Sequence, residues 1–117
     1  MRRATLILLA ALALLLTGCS GSSTGGSGNG TVKTVKVAVT DGKVIPATHR
    51  VEVPRGDTVR LVVTTDTDDE VHVHGVNVEK ETTAGTPTTL EFEVPDTGLY
   101  EVETHESGLQ LLQLEVR

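Results

Sequence analysis

Sulfur and aromatic rings are almost missing from this 117-residue chain. It has one cysteine, Cys19, one methionine, Met1, no tryptophan, and only Phe92 and Tyr100 as aromatics. A single cysteine excludes an internal disulfide and every paired-cysteine metal motif. A folded domain in this chain is therefore held by its apolar core alone. Basic charge is also scarce, with sixteen Asp and Glu against ten Lys and Arg. Residues 31–117 keep all sixteen acids and only eight of the bases, a net charge of −8. That balance excludes a nucleic-acid partner, which needs a basic footprint. It also argues against docking on anionic lipid headgroups, and fits solubility or attraction for cations and basic partners. Catalytic motifs are missing too. Ser107 is the only serine after residue 30, with no elbow motif or positioned acid around it, and no phosphate loop is present. The chain does not read as an enzyme.

One long apolar run exists. Residues 6–16 are all Leu, Ile or Ala and follow the Arg2-Arg3 pair. Eleven residues fall short of the roughly 20 needed to cross a bilayer. They fit the apolar core of a secretory signal, which stands outside the fold. Leu16-Thr17-Gly18-Cys19 ends the run and resembles the lipobox of bacterial lipoproteins. The resemblance implies cleavage before Cys19, acylation of its sulfur and a mature chain anchored on the extracytoplasmic face of the cell membrane. The expected organisation is a signal peptide at 1–18, a lipidated Cys19 opening a flexible linker to 30, and one domain at 31–117. The linker is almost all Ser, Gly, Thr and Asn. Such a chain buries nothing, and eleven residues of it span about 18 Å on average.

The domain alternates with a period of two, the mark of half-buried strands. Val35, Val37 and Val39 set one inward face, and Val59, Leu61 and Val63 another. Leu90, Phe92 and Val94 follow, then Tyr100, Val102 and Thr104, then Leu112, Leu114 and Val116. Val51 and Val53 make a shorter strand, and 71–78 reads as one apolar β-branched strand containing histidines. Asp41-Gly42 is a hairpin-turn signal, Pro54-Arg55-Gly56-Asp57 and Pro95-Asp96-Thr97-Gly98 are turns, and 66–70 reads as a charged, solvated loop. No segment has helical spacing. About seven short strands predict an all-β sandwich or small barrel.

Three stretches carry a second resemblance: 53–59, Val-Pro-Arg-Gly-Asp-Thr-Val; 69–76, Asp-Glu-Val-His-Val-His-Gly-Val; and 95–102, Pro-Asp-Thr-Gly-Leu-Tyr-Glu-Val, followed by His105. Together they are similar to the cupredoxins, the copper-holding Greek-key β-sandwiches, over most of 44–116. The resemblance implies one histidine after the central strand, matched by His74, and further ligands in the loop before the last strand, matched by His105. The pattern departs where the family holds its thiolate, because Thr104 stands there. Leu109, Leu111 and Leu112 occupy the region of the axial methionine. A blue-copper centre needs that thiolate, so electron transfer is not carried over.

All four histidines, His49, His72, His74 and His105, lie in the domain. His72 and His74 are two apart on a strand and share a face. The expected metal ligands are His72, His74 and His105, three imidazoles that suit Cu(II), Zn(II) or Ni(II), with copper first by intrinsic affinity. Glu106 and the acids of 66–70 are candidate oxygen ligands or supporting groups, and Glu101 and Glu103 read as a solvent face. The open alternative is that these histidines make ordinary hydrogen bonds. In that case the domain is a metal-free protein-binding or accessory module of an envelope complex.

Overall fold

The computed structural model describes residues 30–117. The expected signal peptide, Cys19 and all of the linker except Gly30 lie outside the described residues. Among the described residues there are nine strands and no helix, so none is long and apolar enough to cross a membrane.

The strands are β1 (Val32–Thr40), β2 (Lys43–Ile45), β3 (His49–Val53), β4 (Thr58–Thr65), β5 (Asp69–Val73), β6 (Val78–Thr82), β7 (Thr88–Glu93), β8 (Gly98–Thr104) and β9 (Gln110–Val116). They form a four-stranded sheet, β2-β1-β4-β7, packed on a five-stranded sheet, β3-β9-β8-β5-β6. β1 pairs with β4, and β3 with β9, in parallel; the remaining pairs are antiparallel. This is the sandwich expected from the alternation, with the Greek-key topology that the cupredoxin resemblance implies.

Two strands exceed the expected seven. β2 is only three residues long, and its turn is the Asp41-Gly42 pair, with φ of 52° and 69°. Positive φ at both positions is what a two-residue hairpin loop requires. The second addition corrects the single strand expected over 71–78. That run folds back on itself, with β5 ending at Val73 and β6 starting opposite it at Val78. Gly75 and Asn77, both at positive φ, make the reversal. Gly75 lies flat on Tyr100: a Cβ there would sit 2.6 Å from Tyr100 Cδ1.

The alternation maps onto burial. Val59, Leu61, Val63, Val71, Val73 and Val102 are fully buried between the sheets. Each such side chain stabilises the fold by about 1.5–3 kcal/mol through area removed from water. Tyr100 closes one end, its hydroxyl donating to the Asp96 carbonyl at 2.6 Å. The same alternation turns His72 and Glu103 outward, on the exposed face of the five-stranded sheet.

Candidate metal centre

The cluster is set by three adjacent strands. Across β6, β5 and β8 the register runs Glu79, His72, Glu103, each directly opposite the next. Opposed residues on one face hold their Cβ atoms about 4.5–5.5 Å apart. His74 lies just beyond the end of β5. Its backbone N–H donates to the Glu101 carbonyl at 2.9 Å, which extends the ladder by one rung. The rings of His72 and His74 therefore stack at 4.1 Å between centroids, tilted by 46°.

His74 Nε2–H donates to Glu103 Oε1 at 2.6 Å. That bond holds the Glu103 carboxyl below its usual range, with the charges of His74, His72 and His105 adding to the effect. His72 Nε2 has no hydrogen-bond partner although it is shielded from solvent. Its nearest acid is Glu79, whose Oε1 lies 3.4 Å away. One ligand atom from each of His72, His74 and Glu103 lies within 4.8 Å of the other two. Two imidazole nitrogens and a carboxylate oxygen at that spacing could hold a metal ion, and donors of these types suit a late divalent one.

His105 does not join them. Its backbone N–H donates to the Glu70 carbonyl at 2.8 Å. This puts it level with the start of β5, while His74 is at the other end, about 13 Å along the strand. The His105 ring is mostly exposed and bonds Glu70 Oε1 through Nδ1 at 3.2 Å. That hydrogen bond and the charge of Glu70 raise its pKa. The physical reason for the separation is strand direction: β8 runs antiparallel to β5, so the loop leaving β8 closes over the beginning of β5 and not its end. His49 is more distant in the sheet, on the edge strand β3, with Nδ1 bonding the Ala47 carbonyl at 2.9 Å.

Of the acids of 66–70, all expected in a solvated loop, only Asp66 and Asp68 are built into turns, while Asp69 and Glu70 open β5. Asp66 accepts from the Asp41 N–H at 2.7 Å, and Asp68 from the Ala84 N–H at 2.9 Å. Asp69 is a buried residue of β5 that ties down the loop before β9. It accepts from the N–H groups of Glu106 at 2.8 Å and Ser107 at 3.2 Å, and from Ser107 Oγ at 2.6 Å. Because the Ser107 proton is committed to Asp69, the 2.7 Å contact between Thr104 Oγ1 and Ser107 Oγ has Thr104 as donor. Burial pushes the Asp69 carboxyl up, but the Ser107 hydroxyl and three backbone N–H groups outweigh it and hold the pKa below 3.8.

This pole is where the blue-copper centre of the cupredoxin pattern would lie, and its donors do not fit one. Thr104 is buried and hydrogen-bonded in the place of the thiolate. Asp69 and Ser107 fill the space beside it. The one imidazole nearby, His105, is turned outward to Glu70.

The architecture defines a small Greek-key sandwich that carries an imidazole–carboxylate cluster on one outer face. The chain belongs to the cupredoxin-like domain family, whose model matches residues 6–106. Solved structures share its fold. The blue copper oxidase from Nitrosomonas europaea superposes with a TM-score of 0.60 at 14% identity, covering 74% of this chain and 44% of that one. The multicopper oxidase from Campylobacter jejuni, a metallo-oxidase, gives 0.57 at 20% identity, covering 74% and 26%. A heme-copper terminal oxidase dimer gives 0.52 at 23% identity, covering 73% and 65%. The chain thus spans less than two thirds of each of these proteins, and at such identities the likeness is one of fold. No curated protein matches the chain.

The residues that sequence reasoning missed are Glu103 and Glu79. The alternation puts Glu103 on an outward face without assigning it a role, and nothing in the sequence singles out Glu79. Period-two alternation marks both as outward-facing, but which histidine they meet depends on register between strands distant in sequence.

Proposed function

We propose that this protein is an extracytoplasmic lipoprotein, anchored in the cell membrane through Cys19, whose cupredoxin-like domain binds a divalent late transition metal without blue-copper electron transfer or enzymatic turnover. Copper is the first choice of ion. The observation that carries the reading is the convergence of His72, His74 and Glu103 within 4.8 Å, with one imidazole nitrogen lacking any other partner. Nitrogen and oxygen donors favour Cu(II) above the other divalent ions of the first row. The fold's occurrence in copper oxidases agrees with that choice. Titration of the full chain with Cu(II) at neutral pH, followed by calorimetry and EPR, tests it. One equivalent should bind tighter than about micromolar, and His74→Ala should abolish it. Absence of saturable binding refutes the reading. The anchor is tested separately by mass spectrometry of the membrane-extracted chain, which should carry acyl groups on Cys19, and by Cys19→Ser, which should release the protein from membranes.

A second reading keeps the fold and the anchor but not the metal. It is a module that contacts another envelope protein. The sealed Thr104–Ser107–Asp69 pole favours it, as does an apolar groove of about 600 Å³ on the four-stranded sheet beside Ile45, Pro46, Val62 and Pro87. Crosslinking in membranes, with Ile45→Lys as the control, separates it from the first: a specific adduct lost in that variant, together with no saturable Cu(II) binding by the unaltered chain, would assign the groove to a partner and remove the metal.

A further inference from the structure

We propose that Glu79, on the edge strand β6, is a fourth donor of the cluster. The site would then be a two-nitrogen, two-oxygen cradle spanning β6, β5 and β8 that takes a divalent ion and discriminates against Cu(I). The inference rests on the metal-binding reading above and goes beyond its three-residue group.

Four observations carry it. Glu79 occupies the rung directly opposite His72, as Glu103 does on the other side. The two carboxylates therefore flank one imidazole in a straight line across the sheet. Glu79 Oε1 lies 3.4 Å from His72 Nε2, yet that nitrogen makes no hydrogen bond. The two groups are close but misaligned for sharing a proton, whereas an ion seated between them could satisfy both. Glu79 is uncommitted elsewhere: its one ion-pair contact among the described residues is His72, and its side chain is 56% exposed. It can swing inward at no cost to the core. The cation next to it, Lys80, does not compete, because its Nζ donates to the Thr89 carbonyl at 2.9 Å.

The charge of this set determines the class of ion. Two carboxylates neutralise a dication, with the imidazoles neutral. A monocation would leave one negative charge uncompensated. Cu(I) also prefers soft sulfur ligands, and the cluster offers none. The location adds lability: β6 is an outer strand of its sheet, and His74 and Glu103 are 45% and 40% exposed. An incoming chelating group can thus reach the ion from the side.

Three variants of the full chain test the assignment, with Cu(II) and Zn(II) salts as probes. Glu79→Gln should weaken Cu(II) binding by about a hundredfold, at or above the upper end of the 10–100-fold cost of losing a group that only supports a ligand. Glu81→Gln removes the same charge from the same strand two residues on, where the register places it opposite Glu70. It should change the affinity by less than about twofold, since a solvent-exposed charge one step further away is screened. Glu79→His should raise the number of imidazole nitrogens coupled to Cu(II), counted by pulsed EPR, from two to three. Equal effects of the Gln variants, or two coupled nitrogens in Glu79→His, would overturn the role of Glu79 while leaving the His72–His74–Glu103 reading intact. Absence of binding in the unaltered chain would overturn both.

Discussion

Glu103 faces His72 across the β5–β8 rung but accepts its short hydrogen bond from His74, 2.6 Å away, and so leaves His72 Nε2 without a partner. A buried unpaired polar atom costs about 1–3 kcal/mol. The fold accepts that cost on the face where two imidazoles and two carboxylates meet.

The ligand set is tested most directly by comparing histidines. His72→Ala and His74→Ala should each weaken Cu(II) binding by about a hundredfold or more, since loss of a direct ligand exceeds the 10–100-fold cost of losing a supporting group. His105→Ala should leave binding within about twofold, because its ring is held by Glu70 at the other end of β5. Calorimetry on the three variants checks this. A large loss in His105→Ala would place the ion between the loop before β9 and the strand pair.

Much of the fold was legible and much of the site was not, for one physical reason. Burial between two sheets imposes period two, so Val35, Val37 and Val39, or Tyr100, Val102 and Thr104, declare their inward face in the sequence alone. Turn chemistry is equally local, and Asp41-Gly42 was readable for that reason. The hairpin at 74–77 was hidden because Val73, Val76 and Val78 continue a β-branched run across it, and the burden of reversal falls on Gly75 and Asn77. Pairing is not local. Glu103 meets His74 across 29 positions of sequence, and Asp69 meets Ser107 across 38. His74 and His105 were joined by pattern, but the antiparallel run of β5 and β8 sends them to opposite ends.

Gly75→Ala should destabilise the domain by about 2–4 kcal/mol. The residue sits at φ 93°, where a side chain costs roughly 1–3 kcal/mol, and its Cβ would meet the Tyr100 ring at 2.6 Å. Because this turn also seats His74, the variant should lose Cu(II) affinity together with stability. Tyr100→Phe, which keeps the ring and drops the hydrogen bond to Asp96, should cost only about 1 kcal/mol and leave binding unchanged. Urea unfolding of both variants measures the difference.

Asp69 sets the acid limit of the fold. Its pKa in the folded state lies below 3.8, against burial and because of the donors from Ser107, Glu70 and Glu106. A depressed folded pKa contributes stability that is present above the unfolded value and is lost as pH falls through the folded one. The contribution should therefore be constant at neutral pH and disappear below about pH 4. Asp69→Asn should lower stability at pH 7 by about 1–3 kcal/mol and flatten the acid limb of a plot of unfolding free energy against pH. An unchanged acid limb would show that the Asp69–Ser107 contact adds nothing to folding.

Thr104→Cys puts a thiol back at the inward end of β8, and it should not create a blue-copper centre. A trigonal centre of that kind needs two imidazoles beside the thiolate. Here the cysteine would meet Ser107, Asp69 and the half-buried Leu109, which already engage Thr104 or one another. The nearest imidazole, His105, points away to Glu70, and His72 and His74 belong to the outer face with Glu103. Addition of Cu(II) to this variant should give the spectrum of the unaltered protein, without an intense visible charge-transfer band. Appearance of that band would mean that the loop before β9 can turn His105 inward and recruit a second imidazole, and the two poles of β5 would then have to be treated as one site.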